Sequence, residues 1–355
     1  MTIQQSIDEA KLQAFLGQVV TDTAAAWSAP LVLLGDRLGL YRAMASGSPV
    51  TSQELAARTS LHERYVREWL LNQTASGYVE YDSTSERYTL PPEHAMALTD
   101  SASPAYVGGL FYIVEAGLKA QDRIAQAFRT GGGLAWGDQA PELYPATDRL
   151  FRPGYAANLV QSWIPALDGV QERLQAGAKV ADVGCGYGAS TILMAQAFPN
   201  SRFFGFDSHG PSIEAARRSA EKMGVSDRVT FEVASAQDFP GADYDLIAFF
   251  DCLHDMGDPI GAMAHTAQTL APRGTVLVVE PMAAEAVEGC VNPVARLYSA
   301  GSIFLCTPNA IASGEIALGN QVPEQKLREI VLAGGLSHFR RAAETPFNRI
   351  FEARK

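Results

Sequence analysis

The chain has 355 residues, enough for two domains, and its 47% hydrophobic and 19% charged content is that of a globular protein. Its net charge of −11 opposes binding to a nucleic-acid backbone. The four cysteines lack metal-ligand spacing, and the first ten residues carry no secretory signal. No apolar run approaches the ~18 residues of a membrane span. We therefore expect a cytoplasmic protein without membrane contact.

The front of the chain is predicted to be helical and to end in a small hairpin. Apolar spacing predicts a helix over 12–46, a short helix over Gln53–Arg58 and a second short helix over Glu63–Ala75. Two strands at 78–81 and 87–90 are predicted to form a hairpin. Helix, helix-turn-helix and hairpin are the order of a winged-helix domain.

The charge of this region argues against DNA recognition. Residues 1–100 contain seven Lys or Arg and twelve Asp or Glu, and the predicted recognition helix carries Glu63 and Glu68 beside Arg64 and Arg67. We therefore expect this domain to form a homodimer and to cover a substrate pocket. A winged-helix regulator that binds DNA is the alternative.

A hinge is predicted between two domains. Residues 104–130 form a predicted helix that ends at Gly131–Gly133, and the polar stretch after it is a predicted loop. We divide the chain into a winged-helix-like domain, 1–150, and a second domain, 151–355, whose first helix is predicted near Tyr155–Leu174.

Strands and helices then alternate, which is typical of a mostly parallel α/β sheet with helices on both faces. The predicted strands are Lys179–Val183, Arg202–Phe206, Val229–Val233, Leu246–Phe250 and Thr275–Val279, and a final antiparallel pair is predicted at Ser337–Ala342 and Asn348–Ala353. The predicted helices are Ala189–Phe198, Ser212–Met223, Pro259–Leu270 and Glu324–Ala333. The stretch 283–322 does not fit this alternation and is a candidate lid.

Three glycines lie between a predicted buried strand and a predicted helix, in Val180–Gly188. Glycine lets the backbone approach a nucleotide, since no Cβ collides with it. Gly184-x-Gly186-x-x-Ala189 satisfies the dinucleotide fingerprint, and Asp207 ends the next strand, where an acid accepts hydrogen bonds from ribose hydroxyls. This pattern fits NAD and S-adenosylmethionine equally.

Asp182 distinguishes these two ligands by charge. At the carboxyl end of the strand its carboxylate should repel the pyrophosphate of a dinucleotide and stabilise the sulfonium and ammonium of S-adenosylmethionine. A helix cap or a hydrogen bond within the loop is the structural alternative for Asp182. On charge we favour S-adenosylmethionine, with S-adenosylhomocysteine as the product.

The motifs together resemble those of a known family. Ala181–Gly188 resembles motif I of class I S-adenosylmethionine-dependent methyltransferases, and Phe204–Asp207 resembles the following strand with its ribose-binding acid. Tyr244–Ile247 and Leu270–Glu280 resemble the later strands, so the resemblance covers about 155–355 and implies a Rossmann-like sheet. The front half is similar to that of small-molecule O-methyltransferases and of bacterial proteins labelled methyltransferase or regulator.

The resemblance implies a cofactor site at the ends of the strands. Its predicted residues are Asp182, Gly184, Gly186, Gly188, Asp207, Ser235, Ala236 and Asp251. The family often carries a Gly-Asp pair after the third strand, whose acid contacts the adenine amino group. Ser235 occupies that position here, so either its hydroxyl takes this role or Gln237 or Asp238 does.

The segment after the fourth strand should face the methyl donor. Leu253–Asp258 resembles the Leu-His-Asp-Trp-x-Asp segment of small-molecule O-methyltransferases, which implies that His254 is the general base and that Met256 replaces the tryptophan. Glu280 matches a glutamate that orients the histidine in plant-type relatives. A phenol has a pKa of ~10, and a neutral imidazole can take its proton as the bond to carbon forms. A loop-closing histidine and a strand-end cap are the structural alternatives.

The remaining predictions concern the acceptor and metals. Position alone makes Trp163, Phe304 and Asn309 candidate substrate contacts, with a core role as the alternative for the two aromatic residues. Met256, which replaces the tryptophan, is a fourth candidate. Asp251, His254, Asp255 and Asp258 carry metal-ligand atoms, but the family that uses a histidine base needs no metal, so none is predicted. The predicted function is methyl transfer from S-adenosylmethionine to a hydroxyl of a small aromatic molecule. N- or C-methylation and a regulator that senses S-adenosylmethionine are the alternatives.

Overall fold

The computed structural model describes residues 7–355, and these divide into two compact units between Tyr112 and Ile113. This division falls earlier in the chain than the boundary drawn at 150 and 151. The difference arises because helical residues soon after 113 pack within the second unit, where Phe304 packs against Ala120 and Ile124. Across residues 7–355, no helix is both long and apolar enough to cross a bilayer.

The first unit has the predicted order of a winged helix. Its elements are α1 (Glu9–Arg37), α2 (Leu40–Met44), α3 (Ser52–Thr59), α4 (Glu63–Ala75), β1 (Glu80–Asp82), β2 (Arg87–Thr89) and α5 (Pro92–Thr99). The prediction of one helix over 12–46 is wrong, because Gly39 adopts a φ of 73° and separates α1 from α2. Thr51 and Glu54 form a capping box at α3, and α4 and the hairpin are confirmed.

Four helices lead from the first unit to the large sheet. They are α6 (Gly108–Lys119), α7 (Gln121–Thr130), α8 (Leu143–Asn158) and α9 (Val170–Ala176). The single helix predicted over 104–130 is wrong, since α6 ends before Ala120 and α7 begins after it. The loop predicted to reach about residue 148 ends earlier, where α8 begins. A π-helical turn, Leu159–Trp163, follows α8.

The second unit contains a seven-stranded sheet. Its strands are β3 (Lys179–Val183), β4 (Arg202–Asp207), β5 (Val229–Val233), β6 (Tyr244–Phe250), β7 (Leu270–Pro281), β8 (His338–Glu344) and β9 (Asn348–Arg354). The strand order is β5-β4-β3-β6-β7-β9-β8, and all neighbours are parallel except β9, which pairs antiparallel with β7 and β8. The predicted mostly parallel sheet with an antiparallel end is therefore confirmed.

Helices cover this sheet and bury both of its faces. The helices that follow β3 along the chain are α10 (Ala189–Ala197), α11 (Gly210–Lys222), α12 (Pro259–Thr269), α13 (Pro293–Gly301), α14 (Thr307–Ser313) and α15 (Glu324–Ala333). Val180 and Leu246 belong to the core on one face, and their neighbours Ala181 and Ile247 belong to the core on the other. The candidate lid over 283–322 is mainly helical, with a π-helical turn between α13 and α14.

Candidate active site

The glycine loop turns sharply at the end of β3. Gly184, Gly186 and Gly188 have φ angles of 75°, 52° and 76°, a left-handed backbone that other residues rarely adopt. A Cβ at Gly184 would lie 2.7 Å from the Sγ of Cys252, whereas a Cβ at Gly186 would meet no atom within 4 Å. A Cβ at Gly188 would lie 2.5 Å from the Phe231 ring, so this glycine permits close helix–strand packing.

A cavity of ≈ 390 Å³ opens beside this loop at the carboxyl ends of the parallel strands, within the second unit. Its wall includes Gly184, Gly186, Asp207, Ser235, Ala236, Gln237, Asp251, Cys252, Asp255, Met256 and Asn309. The wall also carries Asp148, and among its described residues Arg152 is the only Lys or Arg. Four carboxylates against one guanidinium make the cavity favourable for a cation.

Asp182 lies in the core instead of on the cavity wall. Its side chain is fully buried, and its Oδ2 accepts hydrogen bonds of 2.6 Å from the hydroxyls of Ser190 and Thr191 at the start of α10. Burial raises the pKa of Asp182 to about 6, although these two hydroxyls oppose the rise. The expectation that Asp182 faces the ligand is therefore corrected. The carboxylate links β3 to the first turn of α10. This role resembles the helix cap that was the structural alternative for Asp182.

Asp207 lies on the cavity wall and shapes the glycine loop. Its Oδ2 accepts from the backbone N–H of Gly186 at 2.9 Å, and its Oδ1 accepts from the N–H of His209 at 2.8 Å. Burial raises the pKa of this carboxyl. The His209 ring stacks on Tyr144, with centroids 4.2 Å apart. Asp207 thus fixes the backbone of the turn at the point where it borders the cavity.

The predicted adenine residues all lie near the cavity, but Ser235 is already paired. The Ser235 hydroxyl donates to Oδ1 of Asp238 at 2.7 Å. This carboxylate oxygen also accepts from the Ser235 backbone N–H at 3.1 Å. Ser235, Ala236 and Gln237 line the wall. The structure brings these three residues to the cavity and places Asp238 beside them as a brace for the turn.

Asp251, at the end of β6, has an unusual backbone conformation, two hydrogen-bond donors and a raised pKa. Its φ of 51° is unusual for a residue with a side chain, and such strain often marks a functional position. Its Oδ2 accepts from the Tyr155 hydroxyl at 2.9 Å and its Oδ1 from the Asn348 amide at 2.8 Å. Burial and then the charge of Glu280 raise the pKa of Asp251 to about 7. The carboxylate is held rigidly on the wall.

One face of α8 forms a cavity wall that the sequence analysis missed. The lining side chains of this helix are Tyr144, Thr147, Asp148, Phe151, Arg152 and Tyr155. They recur every three or four residues, which is the spacing of one helical face. That spacing was the available signal, but residues up to about 148 were predicted to form a loop. The face supplies aromatic rings and the cationic group of the cavity.

His254 and Glu280 form a buried dyad beside the cavity. The Nδ1 of His254 lies 2.5 Å from Glu280 Oε2, and Oε1 accepts from the His254 N–H at 3.3 Å. His254 is 3% exposed and lies behind the wall formed by Asp255 and Met256. Burial alone would lower the pKa of His254, but the charge of Glu280 raises it well above its usual range. The contact predicted between these two residues is present.

A third side chain reaches the dyad from the end of a π-helical turn. Cys306 ends the π-helical turn Ser302–Cys306, and its side chain lies close to His254. Ligand atoms of His254, Asp255 and Cys306 lie within 4.8 Å of one another, a set that could hold a metal ion. Cys306 did not enter the sequence prediction of ligand atoms, because its spacing from Asp255 along the chain carries no motif. The expectation that this site binds no metal ion stays a prediction.

The four predicted substrate contacts divide into two groups. Met256 and Asn309 line the cavity, and Asn309 accepts from the Trp136 N–H and donates to the Asp255 carbonyl, at 2.8 and 2.9 Å. Trp163 is 2% exposed and belongs to the core, so its placement at the pocket is corrected. Phe304 packs against the cluster that includes Ala120 and Ile124 instead of the cavity. Packing into apolar clusters, and not position along the chain, determines where the rings of Trp163 and Phe304 lie.

Comparisons with known protein families match both parts of the chain. Residues 26–100 match the model of the Rv2258c-like winged HTH domain, and residues 174–324 match a methyltransferase domain. The 27-O-demethylrifamycin SV methyltransferase of Amycolatopsis mediterranei is 31% identical over 169 residues, which are 45% of this chain and 57% of that protein. The chain thus spans little more than half the length of this curated relative.

Solved structures show the same fold along almost the whole chain. The mitomycin 7-O-methyltransferase MmcR has a TM-score of 0.74 at 18% identity and covers 98% of this chain and 100% of its own. Human N-acetylserotonin methyltransferase, solved with S-adenosylmethionine, has a TM-score of 0.68 at 18% identity and covers 100% of this chain and 99% of its own. Two parts of the chain thus match a winged HTH domain and a methyltransferase domain, and the solved structures show that the shared fold extends over almost the whole chain.

Proposed function

We propose that the protein transfers a methyl group from S-adenosylmethionine to a hydroxyl of a small aromatic molecule, with His254 as the general base. The observation that carries this proposal is the dyad. A buried carboxylate holds one ring nitrogen of His254 next to an acidic cavity at the glycine loop. The aromatic rings of Trp136, Tyr144 and Phe151 on the wall favour a planar acceptor.

The residues of the cavity fit S-adenosylmethionine. Gly186 borders open space, so the backbone can approach the ligand there, and Asp207, the predicted ribose-binding acid, lines the same cavity. The excess of carboxylates over cationic groups suits a sulfonium and disfavours a pyrophosphate. When bound, the cofactor supplies an electrophilic methyl group. Asp148, Asp251 and Asp255 on the cavity wall, and not the buried Asp182, therefore supply negative charge that favours a sulfonium.

The dyad determines which nitrogen can act. Glu280 pairs with Nδ1, so Nε2 is left to accept the proton of the acceptor hydroxyl. As the acceptor oxygen forms its bond to the methyl carbon, its proton passes to Nε2 and S-adenosylhomocysteine is left. The Glu280 carboxylate stabilises the imidazolium that results.

Two measurements test this function in sequence. S-adenosylhomocysteine should raise the melting temperature and NAD should not; stabilisation by NAD alone would contradict the methyltransferase proposal. A panel of small phenols, assayed by release of S-adenosylhomocysteine, then identifies an acceptor. His254→Ala should lose ~10²–10⁴-fold in kcat and keep its affinity for S-adenosylhomocysteine. His265→Ala, a histidine bonded to the Phe239 carbonyl, is the matched control.

The alternatives make different predictions. N- or C-methylation needs positioning more than a base, so His254→Ala would then keep most of its activity on the native acceptor. A DNA-binding regulator is disfavoured because Arg64 and Arg67 on α4 are paired with Glu68 and Glu63. Binding of DNA with a steep negative salt dependence would revive it.

We further propose that the first unit forms a homodimer through α1. This 29-residue helix exposes apolar side chains at helical spacing, namely Leu12, Phe15, Leu16, Val19, Val20 and Trp27. Val20 is 69% and Trp27 79% exposed, and a second copy of the same stripe would cover both in an isologous pair. The double variant Val20→Glu/Trp27→Glu should be monomeric in light scattering. Gln13→Glu on the same helix should not change the mass.

A further inference from the structure

The wall of the cavity carries a single cationic side chain, in an environment that otherwise favours cations. Among the described lining residues, Arg152 on α8 is the only Lys or Arg, against four aspartates. The Nε and Nη2 of Arg152 donate to the Asp148 carboxylate over 2.7–3.2 Å. No hydrogen bond recorded for the described residues engages Nη1, and the side chain is 35% exposed. A guanidinium in this position is available to an anionic group in the cavity.

A carboxylate that is suited to bind a cation lines the same cavity as Arg152. Tyr155 follows Arg152 by three residues on the same face of α8, where side chains are neighbours. The Tyr155 hydroxyl donates to Asp251, whose carboxylate lines the cavity at the end of β6. The helix therefore brings a guanidinium and a fixed carboxylate to one region of the wall. Two opposite charges in this arrangement match the α-carboxylate and α-ammonium of a free amino acid.

We propose that Arg152 binds the α-carboxylate of the methionine part of the cofactor, with the α-ammonium directed toward Asp251. This assignment rests on the proposed function, because it takes S-adenosylmethionine to be the ligand. Asp148 positions the guanidinium and also competes with the ligand for it. An amino-acid head group between Arg152 and Asp251 places the adenosine along the wall toward Asp207, the residue predicted to bind ribose.

The test compares two ligands that differ only in the carboxylate. S-adenosylhomocysteine has it, whereas its decarboxylated analogue keeps the ammonium and the adenosine. In calorimetry, Arg152→Met should raise the Kd for S-adenosylhomocysteine about tenfold or more, as expected for a lost charge-assisted bond, and leave the Kd for the analogue unchanged. Asp148→Asn should tighten S-adenosylhomocysteine, since it removes the competing carboxylate. Arg129→Met, an exposed arginine at the end of α7, is the matched control.

The outcomes separate this subsite from the proposed function. Equal losses for both ligands, or no loss for either, would overturn the role of Arg152 and leave the cofactor assignment standing. A wild-type chain that binds neither ligand would overturn both. If Arg152→Met does not fold, Arg152→Gln keeps a polar side chain without the charge and must show the same selective loss.

Discussion

Asp182 should make the stability of the protein fall as the pH rises. Its pKa is raised from 3.8 to about 6 in the folded protein because the carboxyl is fully buried. The folded state therefore binds the proton more tightly than the unfolded state does. The contribution of Asp182 to the free energy of unfolding is largest below about pH 4, declines between pH 4 and 6, and is constant above that. The shift corresponds to about 3 kcal/mol.

The variant Asp182→Asn isolates this effect, because it keeps the shape of the side chain and cannot ionise. Its amide oxygen can still accept from Ser190 and Thr191, while its NH₂ group takes the place of the unpartnered Oδ1, a cost that does not depend on pH. We expect urea unfolding curves to show that the wild type loses about 2–2.5 kcal/mol relative to the variant between pH 4 and pH 7, because the remainder of the shift is lost below pH 4.

A second variant tests the cause of the shift. The Ser190 hydroxyl stabilises the charged carboxylate and so lowers the pKa of Asp182. Ser190→Ala should therefore raise this pKa further and extend the decline in stability to higher pH. A difference between wild type and Asp182→Asn that stays constant from pH 4 to pH 7 would refute the reasoning, because Asp182 would then bind no proton on folding.

Three further predictions concern the loop and the dyad. Asp207→Ala should weaken binding of S-adenosylhomocysteine several-fold in calorimetry, since it frees the Gly186 turn; an unchanged affinity removes Asp207 from the cofactor site. Because Glu280 raises the pKa of His254 and the base must be neutral, the rate should rise with pH through a value above the usual ~6.5 for histidine. Glu280→Gln should move this limb to lower pH and reduce kcat, whereas Glu352→Gln, another buried glutamate of the sheet, should reduce stability and not move the limb. Gly188→Ala places a methyl group 2.5 Å from Phe231 at a positive φ and should cost about 1–3 kcal/mol, and an unchanged Tm contradicts the packing role.

The strands of the sheet were predictable because their signal is local. β3 and β5 have the predicted bounds, since each is a short β-rich run between turn residues. The position of the site follows from parallel pairing, which brings the carboxyl ends of β3, β4 and β6 to one edge. Asp207 and Asp251 were predicted from their position at this edge alone, and both line the cavity.

Side chains positioned by tertiary packing were not predictable in the same way. The start of α8 carries no capping signal, since Glu142 makes no side-chain cap bond, and Pro153 lies within the helix. Its inward face was therefore missed, together with Arg152. A strand buried on both faces gives no pattern that tells which face a carboxylate takes, and Asp182 turns toward α10. Trp163 is likewise placed by the core.

The hydrogen bond from Asn348 to Asp251 has a consequence for synthesis of the protein. Asn348 begins β9, which lies between β7 and β8 although it is the last strand of the chain. A nascent chain that lacks this strand leaves β7 without its antiparallel neighbour and the Asp251 carboxylate without one of its two donors. Ribosome-bound chains that end before residue 348 should therefore hold the glycine loop while Asp251 lacks one donor, so that this part of the cavity wall is fixed only after β9 has been made.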